Sequence, residues 1–295
     1  MKSFQIIFTL ILTFLLSSII QGNEVADYYF PDELGSFWVY EDHNGNEFTR
    51  FAIEETNVDG NTFRTFSYEP QIEDWEEYKY IMHPYQYQVS DDWISLYVGE
   101  DIENGTKSIV TNKLQEVIAT MREQMVEQLP DGITMEFDFS VTPTAWDYFY
   151  MMPIPVDSND DWIAMKLELK VELKLDIQGI PVEIPEELKS VSATTNLEEA
   201  GSILGTESIE TDAGRFDDCL KIQYKVTATT DTTLPPEFKQ FLPDQETGGS
   251  TTTIWLAPRI GIVKYINAVD NSDEVETIEL KNYEIKTDKS EEIKN

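Results

Sequence analysis

The stretch Trp162–Ile177 limits the possible folds more than any other part of the chain. Ile163, Met165, Leu167, Leu169, Val171, Leu173, Leu175 and Ile177 alternate with Ala164, Lys166, Glu168, Lys170, Glu172, Lys174 and Asp176. A helix would scatter these apolar residues around its circumference, whereas a strand places them all on one face. At about 3.3 Å per residue such a strand runs roughly 50 Å, too long for a small flat sheet. The spacing therefore predicts a strand that curves, with odd-numbered residues inward and alternating charges outside to form cross-strand pairs.

Turn signals divide the rest of the chain at intervals suited to an antiparallel meander. Phe37–His43 reads as a strand that turns at Asn44-Gly45-Asn46, since Asn-Gly tolerates the positive φ of a tight hairpin. Phe48–Glu55 returns, Asp59-Gly60-Asn61 turns again, and Phe63–Tyr68, Tyr78–Val89 and Trp93–Val98 continue the series. The period then changes. Val110, Leu114, Val117, Ile118, Met121, Met125 and Leu129 recur at three- and four-residue spacing, which predicts an amphipathic helix near 108–129. Thr106 or Ser108 can cap its start, and Pro130-Asp131-Gly132 stops it. Ile133–Phe139, Trp146–Met152 and Val275–Ile285 return to strand character. The expected class is α+β, mainly β: a large curved antiparallel sheet, half-barrel-like, with one amphipathic helix packed on its concave face.

Two further segments carry recognisable words. In the first, Gly214-Arg-Phe-Asp-Asp-Cys-Leu-Lys-Ile222 leads into an alternation of Leu220, Ile222, Tyr224 and Val226 with Lys221, Gln223 and Lys225. In the second, Thr253-Ile-Trp-Leu-Ala-Pro-Arg-Ile-Gly-Ile-Val-Lys-Tyr265 reads as a hairpin broken at Pro258 to Gly261. Strict alternation would set Cys219, the single cysteine, beside Lys221 on the polar face. Its burial as a small hydrophobe requires a bulge near Asp217-Asp218. Together with Tyr29-Phe-Pro-Asp-Glu-Leu-Gly-Ser-Phe-Trp-Val-Tyr40, these words resemble a group of poorly characterised bacterial envelope proteins. The resemblance implies a curved single sheet similar to the half-barrels of periplasmic lipoprotein carriers. Arg259 departs from the pattern where a second turn glycine is common, and no lipid-attachment cysteine stands near the N-terminus.

The N-terminus bears on compartment. Lys2 precedes an apolar run from Phe4 to Ile20, and Gln21-Gly22 offers a small residue for cleavage. Residues 1–22 therefore read as a secretory signal peptide. An uncleaved anchor is the alternative, although seventeen helical residues span only about 25 Å. The expectation is a periplasmic or secreted protein, with no stable membrane span after cleavage. Residues 23–285 form one curved-sheet domain, because no Gly/Ser-rich or Pro-rich linker divides them, and 286–295 form a charged flexible tail.

Charge excludes some partners. The chain has 21 Lys and Arg against 56 Asp and Glu, a net charge of −35. Such a surface repels phosphates, so nucleic acid and anionic membrane surfaces are not expected partners. Divalent cations and basic partners suit it better.

Motifs for catalysis are scarce. Two histidines, His43 and His83, and one cysteine leave no zinc ligand set, and no nucleophile elbow, phosphate loop or dinucleotide fingerprint occurs. Asp157-Ser-Asn-Asp-Asp161 with Glu168 copies calcium-loop spacing, but Trp162 stands where that loop needs glycine. Asn104-Gly105-Thr106 matches a glycosylation acceptor, a modification of no consequence in the bacterial setting the resemblance implies. The two Pro-rich apolar stretches, Gly179–Leu188 and Leu234–Pro243, can rim a cavity or pack over an open end of the sheet. The sequence therefore reads as non-enzymatic, with no cofactor and no metal. It is expected to bind or carry a hydrophobic ligand, a lipid or a lipidated protein, at Val110, Leu114, Val117, Met121 and Met125. The other class is a structural or interaction module with a filled core and an acidic binding face. Oligomeric state is left open by the sequence.

Overall fold

The computed structural model describes residues 25, 29–31, 33–58, 61–72, 79–90, 92–126, 133–156, 161–179, 189–233, 249–270, 272–273 and 275–286. The signal-like segment 1–22, the helix stop at 130–132, the acidic run 157–160, most of both Pro-rich stretches and the tail 287–295 lie outside them.

The described residues form thirteen strands and one long helix. The strands are β1 (Phe37–Asp42), β2 (Glu47–Val58), β3 (Asn61–Glu69), β4 (Gln86–Val89), β5 (Trp93–Tyr97), β6 (Thr134–Ala145) and β7 (Tyr148–Pro153). They continue as β8 (Trp162–Gln178), β9 (Ser190–Thr211), β10 (Gly214–Thr232), β11 (Ser250–Ala257), β12 (Gly261–Val269) and β13 (Val275–Glu284). The helix α1 spans Gly99–Val126 between β5 and β6.

All thirteen strands share one sheet in the order β6-β8-β9-β10-β11-β12-β13-β1-β2-β3-β4-β5-β7. Every pairing is antiparallel. Its two edges, β6 and β7, are neighbours in the chain, separated only by Trp146 and Asp147. The Trp146 amide donates to the Lys166 carbonyl on β8 at 3.0 Å, while the Asp147 carbonyl accepts from Val98 and Gly99 at 3.1 Å. Within two residues the chain crosses from one edge to the other. Connectivity therefore forces the sheet to curl through most of a turn, in the direction its strands already twist, without closing.

The curl is lined by aromatic side chains. Trp38, Tyr40, Phe66, Tyr87, Phe149 and Tyr224 are all buried. Their polar tips reach backbone carbonyls: Trp38 Nε1 donates to Ile260 at 2.6 Å, Tyr40 to Ile262 at 3.0 Å and Tyr224 to Met151 at 2.8 Å. These bonds fix strands that are far apart in sequence and leave the buried hydroxyls satisfied. Arg50 on β2 is buried among them, with its guanidinium 4.4 Å from the Trp38 ring and 4.8 Å from that of Phe66. A planar, weakly hydrated cation suits such an aromatic site.

The curved antiparallel sheet and its single helix match the class read from the sequence, while several local readings need correction. The strand expected over Trp162–Ile177 is present, but its phase reverses at the start. Trp162 and Ala164 are buried and Ile163 is half-buried, because the β8–β9 register shifts between Ile163 and Met165. From Met165 onward the odd positions face inward as expected, most of them half-buried, and Lys166 pairs with Glu198 across the strands at 2.6 Å. The strand expected over Tyr78–Val89 is confined among the described residues to Gln86–Val89. Lys79 instead accepts turn hydrogen bonds from Met82 and His83. The helix begins at Gly99, well before Thr106 or Ser108. Cys219 is buried, and the bulge this requires is present: the β9–β10 register shifts between Phe216 and Cys219, with Asp218 at φ 57°.

Candidate functional site

Glu199 is the unusual residue of the inner face. Cross-strand register sets Met165 on β8 opposite it on one side and Val226 on β10 on the other, and Ser250 on β11 opposite Val226. These four side chains make one row across four strands. Leu167 and Leu197, also paired, stand in the next inward row. The sequence Leu197-Glu198-Glu199-Ala200-Gly201 therefore points an acid into an apolar surface, while Glu198 faces out to Lys166.

The N-terminal half of α1 covers this patch without touching all of it. Ile102, Gly105, Thr106 and Ile109 recur at helical spacing and, with Asp101 and Tyr80, complete the lining of a cavity of about 330 Å³. That volume lies at the lower end of the range for small-molecule sites, and most of its walls are apolar. Three contacts hold the helix in place. Val98 and Gly99 donate to the Asp147 carbonyl, and Glu103 Oε1 accepts from the Ala145 amide at 2.8 Å. A Cβ at Gly99 would stand 2.6 Å from the Trp146 carbonyl oxygen, so only glycine allows the helix to start this close to the sheet edge.

Tyr80 places the second polar group. Its hydroxyl donates to Glu199 Oε2 at 2.5 Å, and its ring packs against Phe149 with centroids 5.2 Å apart. Glu199 Oε1 is buried with no hydrogen-bond partner. Burial pushes the Glu199 carboxyl up to about 7, and the Tyr80 hydrogen bond only partly opposes this. The Tyr80 and Tyr224 phenols are raised well above their ordinary range by burial and by the neighbouring carboxylate.

The residues chosen from the sequence lie on α1 but are not gathered at this cavity. Val110, Leu114 and Met121 are half-buried and Val117 is 54 % exposed. The Met125 side chain lies outside the described residues. Ile118 is the buried residue of that part of the helix. The cavity uses the turns before Val110, in the part of the helix that sequence spacing leaves out. The sequence pattern does not mark Glu199 or Tyr80 either. Inward alternation through Leu197, Glu199 and Gly201 is the signal for the first, and Tyr80 has none, lying 119 residues from its partner.

His83 and Cys219 are held as packing residues. His83 sits between the rings of Phe48 and Tyr68, at 4.5 and 5.4 Å, and its Nδ1 accepts from the Lys79 amide. Burial pulls it down to about 3, so it stays neutral near pH 7. Burial pushes the Cys219 thiol up to about 11, away from thiolate reactivity. Among the described residues no group of three or more acidic, His or Cys side chains is placed to hold a metal ion.

No family model matches the chain. No curated protein matches it either. Among solved structures, it is similar to a provisionally named lipoprotein from Parabacteroides distasonis, with 14 % identity and a TM-score of 0.39 over 87 % of this chain and 98 % of the other. It is also similar to a provisionally named exported protein with a YmcC-like fold from Bacteroides fragilis. Identity there is 14 % and the TM-score 0.37, over 87 % of this chain and 99 % of the other.

Proposed function

We propose that this chain is an exported, non-enzymatic protein that binds a small hydrophobic or amphipathic molecule between α1 and strands β8–β10. The observation that carries this reading is the apolar cavity of about 330 Å³ under the N-terminal half of the helix. Among the described residues Trp38, Tyr40, Phe66, Tyr87 and Phe149 belong to one contiguous buried core, outside the lining of this cavity. Binding there would cover Ile102, Ile109, Leu167 and Leu197 at about 25 cal/mol per Å² of apolar surface removed from water. The helix packs against β6, the edge strand next to β8. Export is supported by the signal-like residues 1–22. Among the described residues no helix is long and apolar enough to cross a membrane.

A filled-core interaction module is the competing class, and the cavity separates the two. Native mass spectrometry of protein recovered from its own cells should show a small-molecule adduct that is lost on denaturation. Bare protein in every preparation, matched by failure to take up any added apolar compound, would leave only the interaction reading.

A further inference from the structure

The cavity holds a feature that a purely apolar ligand would not need. Glu199 lines this space and is 5 % exposed, and its Oε1 is buried without a hydrogen-bond partner. An unpaired buried acceptor is costly, and a ligand that brings a donor is one way to satisfy it. Tyr80 commits its only O–H to Oε2 and offers the cavity no second donor. The lining includes two carboxyl side chains, Asp101 and Glu199, and no Lys, Arg or His. A ligand entering here meets apolar walls, two carboxyls and the hydroxyls of Thr106 and Ser250.

Resting on the pocket reading above, the structure assigns to this site a small amphipathic amine. Its protonated nitrogen donates to Glu199 Oε1, and its hydrocarbon chain lies against Ile102, Ile109, Leu167 and Leu197. An ammonium group supplies both the missing donor and the counter-charge that a buried carboxylate lacks. The net charge of −35 raises the local concentration of any cation and repels competing anions. At about 30 Å³ per water-sized group, the cavity holds about eleven non-hydrogen atoms, the size of an eight- to ten-carbon alkylamine.

The same geometry makes binding pH-dependent. The titratable groups around Glu199 are Tyr80, Tyr224 from β10, Tyr265 from β12 and Asp101 from α1. The three phenols are all shifted upward and stay neutral. Glu199, raised to about 7 by burial, must lose its proton to receive the ammonium. Amine affinity should therefore fall about tenfold per unit as pH drops below about 7.

The test is calorimetric titration of the mature protein with octylamine, octan-1-ol and octanoate at pH 8 and pH 6. Octylamine should bind one to one and at least about tenfold more tightly than octanol at pH 8, and lose most of that preference at pH 6. E199Q should abolish the preference, bringing octylamine to the affinity of octanol. If E199Q does not fold, the loss of the octylamine preference between pH 8 and pH 6 in the parent protein decides the matter. Octanol or octanoate binding as tightly as octylamine, or an octylamine affinity untouched by E199Q, would overturn the amine assignment and leave the pocket reading standing. No saturable binding by any of the three compounds would remove both.

Discussion

Glu199 illustrates what a single residue can do to an otherwise apolar surface. A carboxyl held at about 7, against an ordinary value of 4.5, keeps its proton in the folded state between those pH values after the unfolded chain has lost it. The contribution is therefore fully present below about pH 4.5 and declines as pH rises toward 7, by about 3 kcal/mol in all. Glu199→Gln cannot titrate. Its stability relative to the parent should rise by about that amount between pH 4.5 and 8, read from urea midpoints at several pH values. Parallel profiles for the two proteins would show that the carboxyl is not buried in its neutral form. Arg50 poses the opposite problem, a permanent cation inside the core. Aromatic faces meet its planar guanidinium, although Nε and Nη1 lack hydrogen-bond partners.

Among the elements, β8 and β9 show what could be read in advance and what could not. The alternation from Met165 to Gln178 is legible because one face is apolar at every step. The phase change at Ile163 is not, since a bulge leaves no mark in an apolar run. The bulge at Asp217-Asp218 could be foreseen because alternation and the burial of Cys219 conflicted. The start of α1 was obscured by Asn104-Gly105, a pair with turn character that the structure carries inside the helix. The anchor that overrides it, the Asp147 carbonyl, lies 48 residues beyond Gly99 in sequence (147 − 99). On β9 the apolar pattern is diluted by Ser and Thr, which kept Glu199 from standing out. Two positions further on, Gly201 lies opposite Trp162, and a Cβ there would come within 2.4 Å of the indole. Trp162 is pinned by its hydrogen bond to the Tyr150 carbonyl at 2.7 Å and cannot retreat freely. Gly201→Ala should therefore destabilise the protein by about 1–3 kcal/mol in a denaturant melt. A neutral result would mean that the indole is loosely held.

The whole molecule follows from a chain that supplies both edges of its own sheet. Because β6 and β7 are separated by two residues, the thirteen strands must curl, and α1, inserted just before β6, is delivered to the concave side of that edge. Aromatic residues of β1–β5 pack within the buried core, and a gap remains between α1 and β8–β10. The sequence revealed the curl, the single helix and the acidic surface, whereas the position of the gap depended on long-range packing. If residues 1–22 are removed on export, the mature net charge is −36, from 20 basic and 56 acidic residues. N-terminal sequencing of the exported protein should then begin near residue 23, while an intact Met1 would show that the segment is retained.

The central claim is that the space between α1 and β8–β10 is a binding site. Titration with an uncharged fluorescent apolar probe, on the parent protein and on Leu197→Trp, tests it most directly. The indole introduced on β9 would occupy the cavity between Leu167 and the helix. The account predicts saturable one-to-one uptake by the parent, loss of that uptake in Leu197→Trp, and a melting temperature within a few degrees of the parent's. A variant that melts much earlier, together with a parent that takes up no probe, would mean that the space is ordinary core and would contradict the account.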